Sequence, residues 1–221
     1  MTLPATSAPD AADAGPAPAW PRMLGPLLGL KLFFAFCCAF IMLRMELPQF
    51  QGKAMWERMI GYPLLIAAIP VTWWLLRRSG RPAGGYPFAA DFLLTLGIVL
   101  DLIGNIFNLF DSAPWYDDLM HLVNWGFYSA AFGSLLLRSR LGPWPLFGLV
   151  TGFGAITAIL WEGVEWLGFI RFGTELDTAY FDTLLDEHLG LLGSAVSGLI
   201  VARIAARRAG ALADGPSGEA A

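Results

Sequence analysis

Six windows of about 20 apolar residues occur in this chain of 221 residues, and they constrain its fold more than any other feature. Roughly 20 such residues, wound as a helix, cross the ~30 Å hydrocarbon core of a bilayer. Only 14% of the residues are charged, whereas a typical soluble domain has about 25%. The sequence therefore predicts an all-α integral membrane bundle of six transmembrane helices, at about 24–43, 59–76, 88–110, 119–137, 146–170 and 184–204.

The two ends of the chain lack this apolar character. Residues 1–20 are rich in Ala and Pro and contain acids but no Lys or Arg, unlike the basic start of a cleavable signal peptide. We predict disordered tails at 1–20 and 209–221. The six spans follow one another too closely for a separate soluble domain, so residues 21–208 are expected to form one membrane domain.

Positive charge divides unevenly between alternate loops. With six spans, ten of the fourteen Lys and Arg residues fall on the side that holds both termini. The four on the other side are Arg44, Lys53, Arg58 and Arg171. Because Lys and Arg are retained in the cytoplasm during insertion, both termini are predicted to be cytoplasmic.

The acids have the opposite distribution. Eleven of the eighteen acids and both histidines lie between Asp101 and His188. Helical rise places Asp101 about 20 Å and Glu162 about 24 Å along their spans from the cytoplasmic side. His121 and Asp186 lie in the first turn of spans that enter from the outer side. Four helices are thus expected to bring polar groups to the outer third of the membrane.

Helical periodicity indicates that these polar residues also share faces, since residues three or four apart are neighbours on a helix. The residues predicted to form one site are Asp101 and Asn105; Asp117, Asp118, His121 and Asn124; Glu162 and Glu165; and Asp177, Asp182 and Asp186. The last span continues with the small residues Gly190, Gly193 and Ser197, which would let a neighbouring helix approach closely.

Carboxylates held together in a membrane would repel one another. Capping of helix N-termini could explain Asp117, Asp118 and Asp182, but not acids well inside a helix, such as Glu162. With at most Arg171 available to neutralise them, either some acids are protonated or a cation lies among them.

Carboxylates with imidazole suit a divalent ion of Mg, Mn, Fe or Zn, although nothing in the sequence selects one. The predicted metal ligands are Asp117, His121, Asp182 and Asp186. The predicted catalytic residues are Glu162 and Glu165, each as a ligand or a general base. The predicted supporting polar residues are Asp101, Asn105, Asp118, Asn124 and Asp177.

Three functions fit this arrangement. The first is a metal-dependent membrane hydrolase or transferase, acting on a membrane lipid or a lipid-linked substrate at the outer leaflet. The second is a non-catalytic structural or binding protein. The third is an ion- or proton-coupled transporter, which is disfavoured because the acids are confined to one side. Nothing indicates a nucleic-acid partner, and the substrate and the oligomeric state are left open.

Three motifs carry a resemblance to a known family. They are Tyr116-Asp117-Asp118-x-x-His121, Trp161-Glu162-x-x-Glu165-Trp166, and Asp182-x-x-x-Asp186 leading into Gly190. Together they resemble the small bacterial inner-membrane proteins typified by YjdF, a family of unknown function, and more distantly the VanZ-like membrane proteins. Asp118 and Glu165 depart from the VanZ-like pattern, in which lysine and glutamine are common. The resemblance implies a multi-pass protein of the bacterial cytoplasmic (inner) membrane and no established reaction.

Overall fold

A computed structural model describes residues 20–82, 84–168, 170–172, 176 and 178–213. Every regular element in those ranges is helical. The α-helices are α1 (Trp20–Leu43), α2 (Met55–Arg78), α3 (Phe88–Ile106), α4 (Leu109–Ser112), α5 (Tyr116–Leu136), α6 (Pro143–Gly168) and α7 (Ala179–Ala213). Two short 3-10 turns cover Pro48–Phe50 and Ile170–Phe172.

Five of these helices, α1, α2, α3, α6 and α7, are long and apolar enough to cross a membrane. The sixth long helix, α5, has 21 residues but is not among the helices with a long enough apolar stretch, and it contains polar residues such as His121 and Asn124. The predicted all-α membrane-type architecture is therefore confirmed. The count of six spans and the cytoplasmic position of the termini stay predictions.

Helices α5, α6 and α7 pack against one another through small residues. A Cβ atom added to Gly193 of α7 would lie 2.0 Å from the carbonyl oxygen of Leu122 in α5. One turn further, the Ser197 hydroxyl donates a hydrogen bond of 2.7 Å to the carbonyl oxygen of Gly126. The predicted close approach at the small residues of the last span is thus confirmed, and it fixes α5 and α7 tightly together.

Helices α1 and α2 complete the bundle on the other side of α3. Their buried apolar residues, such as Ile41 and Tyr62, form one core with Ile98 and Leu102 of α3. Helix α2 packs along α3 but approaches α6 only at isolated points. A cleft between α2 and α6 is the consequence.

The six long helices alternate in direction along the chain, which gives the bundle two different ends. We call the acidic end the one formed by the helix termini Leu43, Met55, Ile106, Tyr116, Gly168 and Ala179. The basic end holds the opposite termini together with Arg77, Arg78, Arg138, Arg203, Arg207 and Arg208.

A buried ion pair joins α1 to α3 near the basic end. The Asp91 side chain is 0% exposed, and its Oδ2 atom lies 2.9 Å from Nζ of Lys31. The Tyr86 hydroxyl donates a hydrogen bond to the same oxygen, and burial together with this contact raises the pKa of Tyr86 above its ordinary value. The carboxylate thus has a cation and a hydroxyl as its own partners.

Helix boundaries differ from the predicted spans by a few residues at most ends, and three of the differences matter here. Helix α3 ends at Ile106 rather than at residue 110, because Asn108 adopts a left-handed conformation with φ 55° that stops the helix. Helix α2 begins at Met55, four residues before the predicted start. Helix α7 continues to Ala213, so residues 209–213 are helical where a disordered tail was predicted. The tail predictions for 1–19 and 214–221 lie outside the described residues.

Candidate functional site

His121 is the centre of a polar cluster at the acidic end. It lies in the second turn of α5, and only 6% of its surface is exposed. Its Nε2 atom lies 3.7 Å from Oδ1 of Asp117, one turn earlier on the same helix. Its Nδ1 atom lies 3.6 Å from Oε1 of Glu162 in α6 and 3.9 Å from Oδ1 of Asp186 in α7. Three helices therefore place one imidazole among three carboxylates.

The atoms that face each other in this cluster lack other partners. Nδ1 of His121, Oε1 of Glu162 and Oδ1 of Asp186 are all buried, and none has a hydrogen-bond partner within the described part of the chain. A buried polar atom without a partner costs about 1–3 kcal/mol, and more when it is charged. Nδ1 of His121 can therefore share a proton or a cation with either of these two carboxylates.

The distances are close to those that a metal ion imposes on its ligands. Ligand atoms bound tetrahedrally at about 2.0–2.2 Å from an ion are separated by roughly 3.4 Å. Two overlapping sets of residues each offer ligand atoms that lie within 4.8 Å of one another. The first set is Asp117, His121 and Asp186, and the second is His121, Glu162 and Glu165. The donor chemistry, imidazole with carboxylates, suits a divalent ion.

Asp117 fits a second role as well as that of a ligand. Its carboxylate is nearest to Nε2, on the opposite edge of the imidazole from Glu162 and Asp186. A histidine that binds a metal through one nitrogen commonly donates the other N–H to a carboxylate, which fixes the orientation of the ring. Asp117 is placed to orient His121 in that way.

Sequence reasoning missed Arg58, which lies beside this cluster. Its guanidinium donates a hydrogen bond of 2.7 Å to Oδ1 of Asp101 and one of 2.8 Å to the hydroxyl of Tyr62. The Tyr62 hydroxyl donates in turn to Oδ2 of Asp101, at 2.7 Å. Arg58, Tyr62 and Asp101 therefore form a closed triangle between α2 and α3.

Arg58 also connects this triangle to the His121 cluster. Its Nη2 atom lies 3.4 Å from Oε1 of Glu165, and its guanidinium lies 5.3 Å from the ring centroid of Trp161 in α6. The predicted neutralising cation, Arg171, lies over the ring of Trp166, at 5.8 Å. The prediction that at most Arg171 could neutralise these acids is wrong, because Arg58 is paired with two of them.

A cavity of about 590 Å³ lies between α2, α3, α5 and α6 and opens at this end. The part of its wall nearest the acidic end is polar and contains, among others, Arg58, Asp101, Asn105, Asp117, His121, Asn124, Glu165 and Asp182. Lys53, also in this wall, is paired with Asp111 at 2.7 Å. A polar ligand that enters the cavity would meet the His121 imidazole and the carboxylates of Asp117 and Glu165 directly.

Most of the predicted site residues are brought together. Those at the cluster or in the cavity wall are Asp101, Asn105, Asp117, His121, Asn124, Glu162, Glu165 and Asp186. Asp182 lines the cavity but is exposed and belongs to neither candidate ligand set. Asp118 is half-buried and is not among the lining residues. Asp177 lies outside the described residues.

The second histidine does not join the site. His188 is exposed, and its Nδ1 atom lies 2.6 Å from the carbonyl oxygen of Leu184. His188 follows Asp186 by two residues, which corresponds to about 200° of rotation around the helix axis. His188 therefore faces away from the buried Asp186. Helical periodicity could have separated these two residues from the sequence alone.

One comparison with known proteins gives a match. The family model described as "Predicted membrane protein (DUF2238)" matches residues 29–207. No curated protein and no solved structure matches the chain. The likeness to YjdF-like and VanZ-like proteins therefore stays a prediction.

Proposed function

We propose that this chain, which belongs to the DUF2238 family of predicted membrane proteins whose model covers most of it, is a divalent-metal-dependent membrane enzyme. We place it in the bacterial cytoplasmic membrane with six spans, α5 included, and both termini in the cytoplasm, as the distribution of Lys and Arg favours. The acidic end then lies at the outer leaflet, where a lipid or a lipid-linked substrate is within reach. The proposed reaction is hydrolysis or group transfer at the polar head of that substrate.

Two observations support a metal. Nδ1 of His121, Oε1 of Glu162 and Oδ1 of Asp186 are buried without hydrogen-bond partners among the described residues, and two candidate ligand sets meet at His121. Two carboxylates and a neutral imidazole balance the charge of a divalent ion. The neighbouring acids do not compete strongly for it, because Arg58 already pairs with Asp101 and Glu165. A bound divalent ion at this position would supply Lewis acidity and lower the pKa of a coordinated water to about 7.

The residues around the ligands have roles that follow from their positions. Asp117 orients His121 through Nε2. Glu165 lines the cavity beside the ligand set and is held at 3.4 Å by Arg58, so it can accept a proton from a water or hydroxyl group in the cavity. Arg58, also in the wall, can stabilise negative charge on a substrate head.

Metal analysis of the purified protein tests this proposal. We expect a near-stoichiometric divalent ion in the wild type, its loss in His121→Ala, and its retention in His188→Ala. His188 is a matched control because it is the same residue type at the same end but is exposed and bonded to a backbone carbonyl. Wild-type protein without a stoichiometric ion, or His121→Ala with an undiminished one, would overturn the proposal.

A second candidate is a structural role, which the closed triangle of Arg58, Tyr62 and Asp101 favours. In that case the polar cluster would hold α2 to α3 and α6 without binding any ligand. Glu162→Gln and Asp186→Asn would then change the stability of the protein while its metal content stays at zero in all variants.

A further inference from the structure

We infer that the cavity binds the hydrocarbon chain of a membrane lipid, which enters between α2 and α6 and places its polar head beside His121. This inference rests on the proposed function and names its substrate class. It depends on the shape and polarity of the part of the cavity that lies deeper in the bundle than the polar cluster. The proposed chemistry at the cluster does not use this part.

The lining of the cavity changes from polar to apolar in the same direction on α2, α3 and α6. On α3 it passes from Asp101 through Ile98 to Leu94. On α2 it passes from Arg58 to Leu65, both of them lining residues. A common gradient on separate helices means that the cavity has a polar mouth and an apolar floor.

Helix α6 shows the same gradient over the longest distance. Its lining residues run from Glu165 through Trp161 and Thr157 to Phe153. The Thr157 hydroxyl is bonded to the Phe153 carbonyl at 2.7 Å and so adds little polarity. On α5 the deepest lining residue is Tyr128, whose ring stacks edge-on against Trp125 at 5.5 Å.

The cavity is deep enough for an extended chain. Asp101 and Leu94 are seven residues apart, which corresponds to about 10 Å along α3. Glu165 and Phe153 are twelve residues apart, or about 18 Å along α6. The cavity therefore reaches towards the middle of a ~30 Å hydrocarbon core.

The floor of the cavity can be reached from the side. Helix α2 packs along α3 and approaches α6 only at isolated points, and Leu65, which lines the cavity, is 49% exposed. At the acidic end the two helices are linked by Arg58, through Glu165 and the ring of Trp161. Arg58 thus bridges the cleft between α2 and α6 at the acidic end. Further from that end, the cleft is open to the surrounding lipid.

A lipid chain is the occupant that this geometry fits. An apolar cavity gives water too few polar partners to hold it, whereas hydrocarbon chains surround a cleft at this depth. Binding pockets for small molecules are mostly apolar, with a few polar groups that fix orientation. A chain in the floor would hold the polar head beside His121 and Glu165, and such positioning alone can supply a large part of a rate enhancement.

Photocrosslinking in nanodiscs tests this inference. The probes are a phospholipid and a free fatty acid that each carry a diazirine in the chain, and labelled residues are mapped by mass spectrometry. We expect labels on Leu65, Ile98 and Phe153 from at least one probe. The probe that labels these residues more strongly shows whether the bound chain is esterified. Labels confined to lipid-facing residues such as Ile156 and Leu160, which are 63% exposed, would overturn the inference.

Two variants separate this inference from the proposed metal site. Ile98→Trp fills the floor and should reduce labelling of Leu65 and Phe153 at least severalfold without changing the metal content. Ile156→Trp, on the lipid face of α6, is the matched control and should leave labelling unchanged. Asp186→Asn should lose the metal and keep the labelling. If Ile98→Trp leaves labelling unchanged, the chain does not lie in the cavity, whatever the metal analysis shows.

Discussion

The two ends of the bundle both contain buried carboxylates, but they satisfy them differently. Near the basic end, Asp91 is fully buried, and one of its oxygens has both Lys31 and Tyr86 as partners. At the acidic end, Glu162 and Asp186 are buried beside His121, and the facing atoms have no hydrogen-bond partner among the described residues. One end holds a carboxylate with its own cation, whereas the other holds two carboxylates beside one imidazole.

We interpret this difference as one between a structural polar group and the proposed functional one. Buried charges in a membrane are expensive, and they persist when they are paired or when they serve a pathway or a ligand. The pair of Lys31 and Asp91 joins α1 to α3, and its cation is supplied by the chain itself, although Oδ1 of Asp91 has no hydrogen-bond partner among the described residues. His121, Asp117 and Glu165 also line a cavity, so a ligand can reach the imidazole from outside.

The largest effect is expected for Arg58→Ala, which would leave Asp101 and Glu165 without their cation. Breaking a buried ion pair by removing one partner costs about 3–5 kcal/mol. We expect a loss of that size in the free energy of unfolding, measured by denaturant titration in mixed micelles. Arg44→Ala is the control, because Arg44 and Glu46 form an exposed pair worth at most about 1 kcal/mol. Equal losses in the two variants would contradict the role given to Arg58.

A smaller loss is expected for Lys31→Met, which leaves Asp91 unpaired near the basic end. Lys31 is 24% exposed, so the loss in the free energy of unfolding should be below the Arg58 value, at about 2–3 kcal/mol. The double variant Lys31→Met with Asp91→Asn should recover most of it, because no uncompensated charge remains. Both variants should bind metal as the wild type does; loss of metal on changing this pair would show that the two ends are not independent.

Chelation should distinguish the ends in the same protein. If a divalent ion is present at a hundred times its Kd, binding stabilises the fold by about 2.7 kcal/mol, and EDTA should remove that stabilisation from the wild type and from Lys31→Met. Asp186→Asn should not respond to EDTA. Without metal it should be more stable than the wild type, because one repelling carboxylate is gone. Thermal unfolding of the wild type, Lys31→Met and Asp186→Asn, each with and without EDTA, measures these effects. A response of Asp186→Asn to EDTA would contradict the role of Asp186 as a ligand.

The close contact of α5 and α7 offers a test of how rigidly His121 is held. Gly193→Ala places a Cβ atom against the backbone carbonyl of Leu122, next to His121, and such overpacking costs about 1–3 kcal/mol. We expect weaker metal binding along with this loss of stability. Gly163→Ala is the matched control, since nothing lies within 4 Å of its added Cβ, and alanine there should stabilise α6 by up to about 1 kcal/mol. Unchanged metal affinity in Gly193→Ala would mean that α5 can shift without disturbing the ligands.

The smallest effect concerns Tyr86, at the basic end. Tyr86→Phe removes one hydrogen bond to Asp91 and should cost about 1 kcal/mol. Because the pKa of Tyr86 is raised in the folded protein, its contribution is complete below the unfolded pKa of about 10 and is lost as the pH rises towards the folded pKa. The difference in stability between wild type and Tyr86→Phe should therefore shrink above about pH 10. A constant difference up to high pH would show that the hydroxyl does not titrate as a buried group.

Hydropathy and helical periodicity predicted much of the fold and most of the candidate site. Asp101, His121 and Glu162 come from different helices, yet their depth along each helix follows from residue number alone, and the structure brings them to one end. Local backbone geometry could not be predicted in this way. Helix α3 stops at Ile106 because Asn108 adopts positive φ, and no feature of hydropathy reports that.

Arg58 shows why part of the site was missed. The predicted second span began at residue 59, so Arg58 was assigned to a loop and to the count of loop charges. In the structure α2 begins at Met55, which puts Arg58 and Tyr62 one turn apart on a face directed at Asp101. Their spacing of four residues was visible in the sequence, but a charged residue at the edge of an apolar window reads equally well as a loop residue.

By itself the sequence determined that the chain forms apolar helices and that its acids gather at one end, because hydrophobic length and helical rise are local properties. Only the tertiary structure decided which carboxylates have a cation and which do not. That choice depends on how α2 and α6 approach α3 and α5 within a few ångströms, and electrostatic interactions in an apolar interior change steeply over such distances.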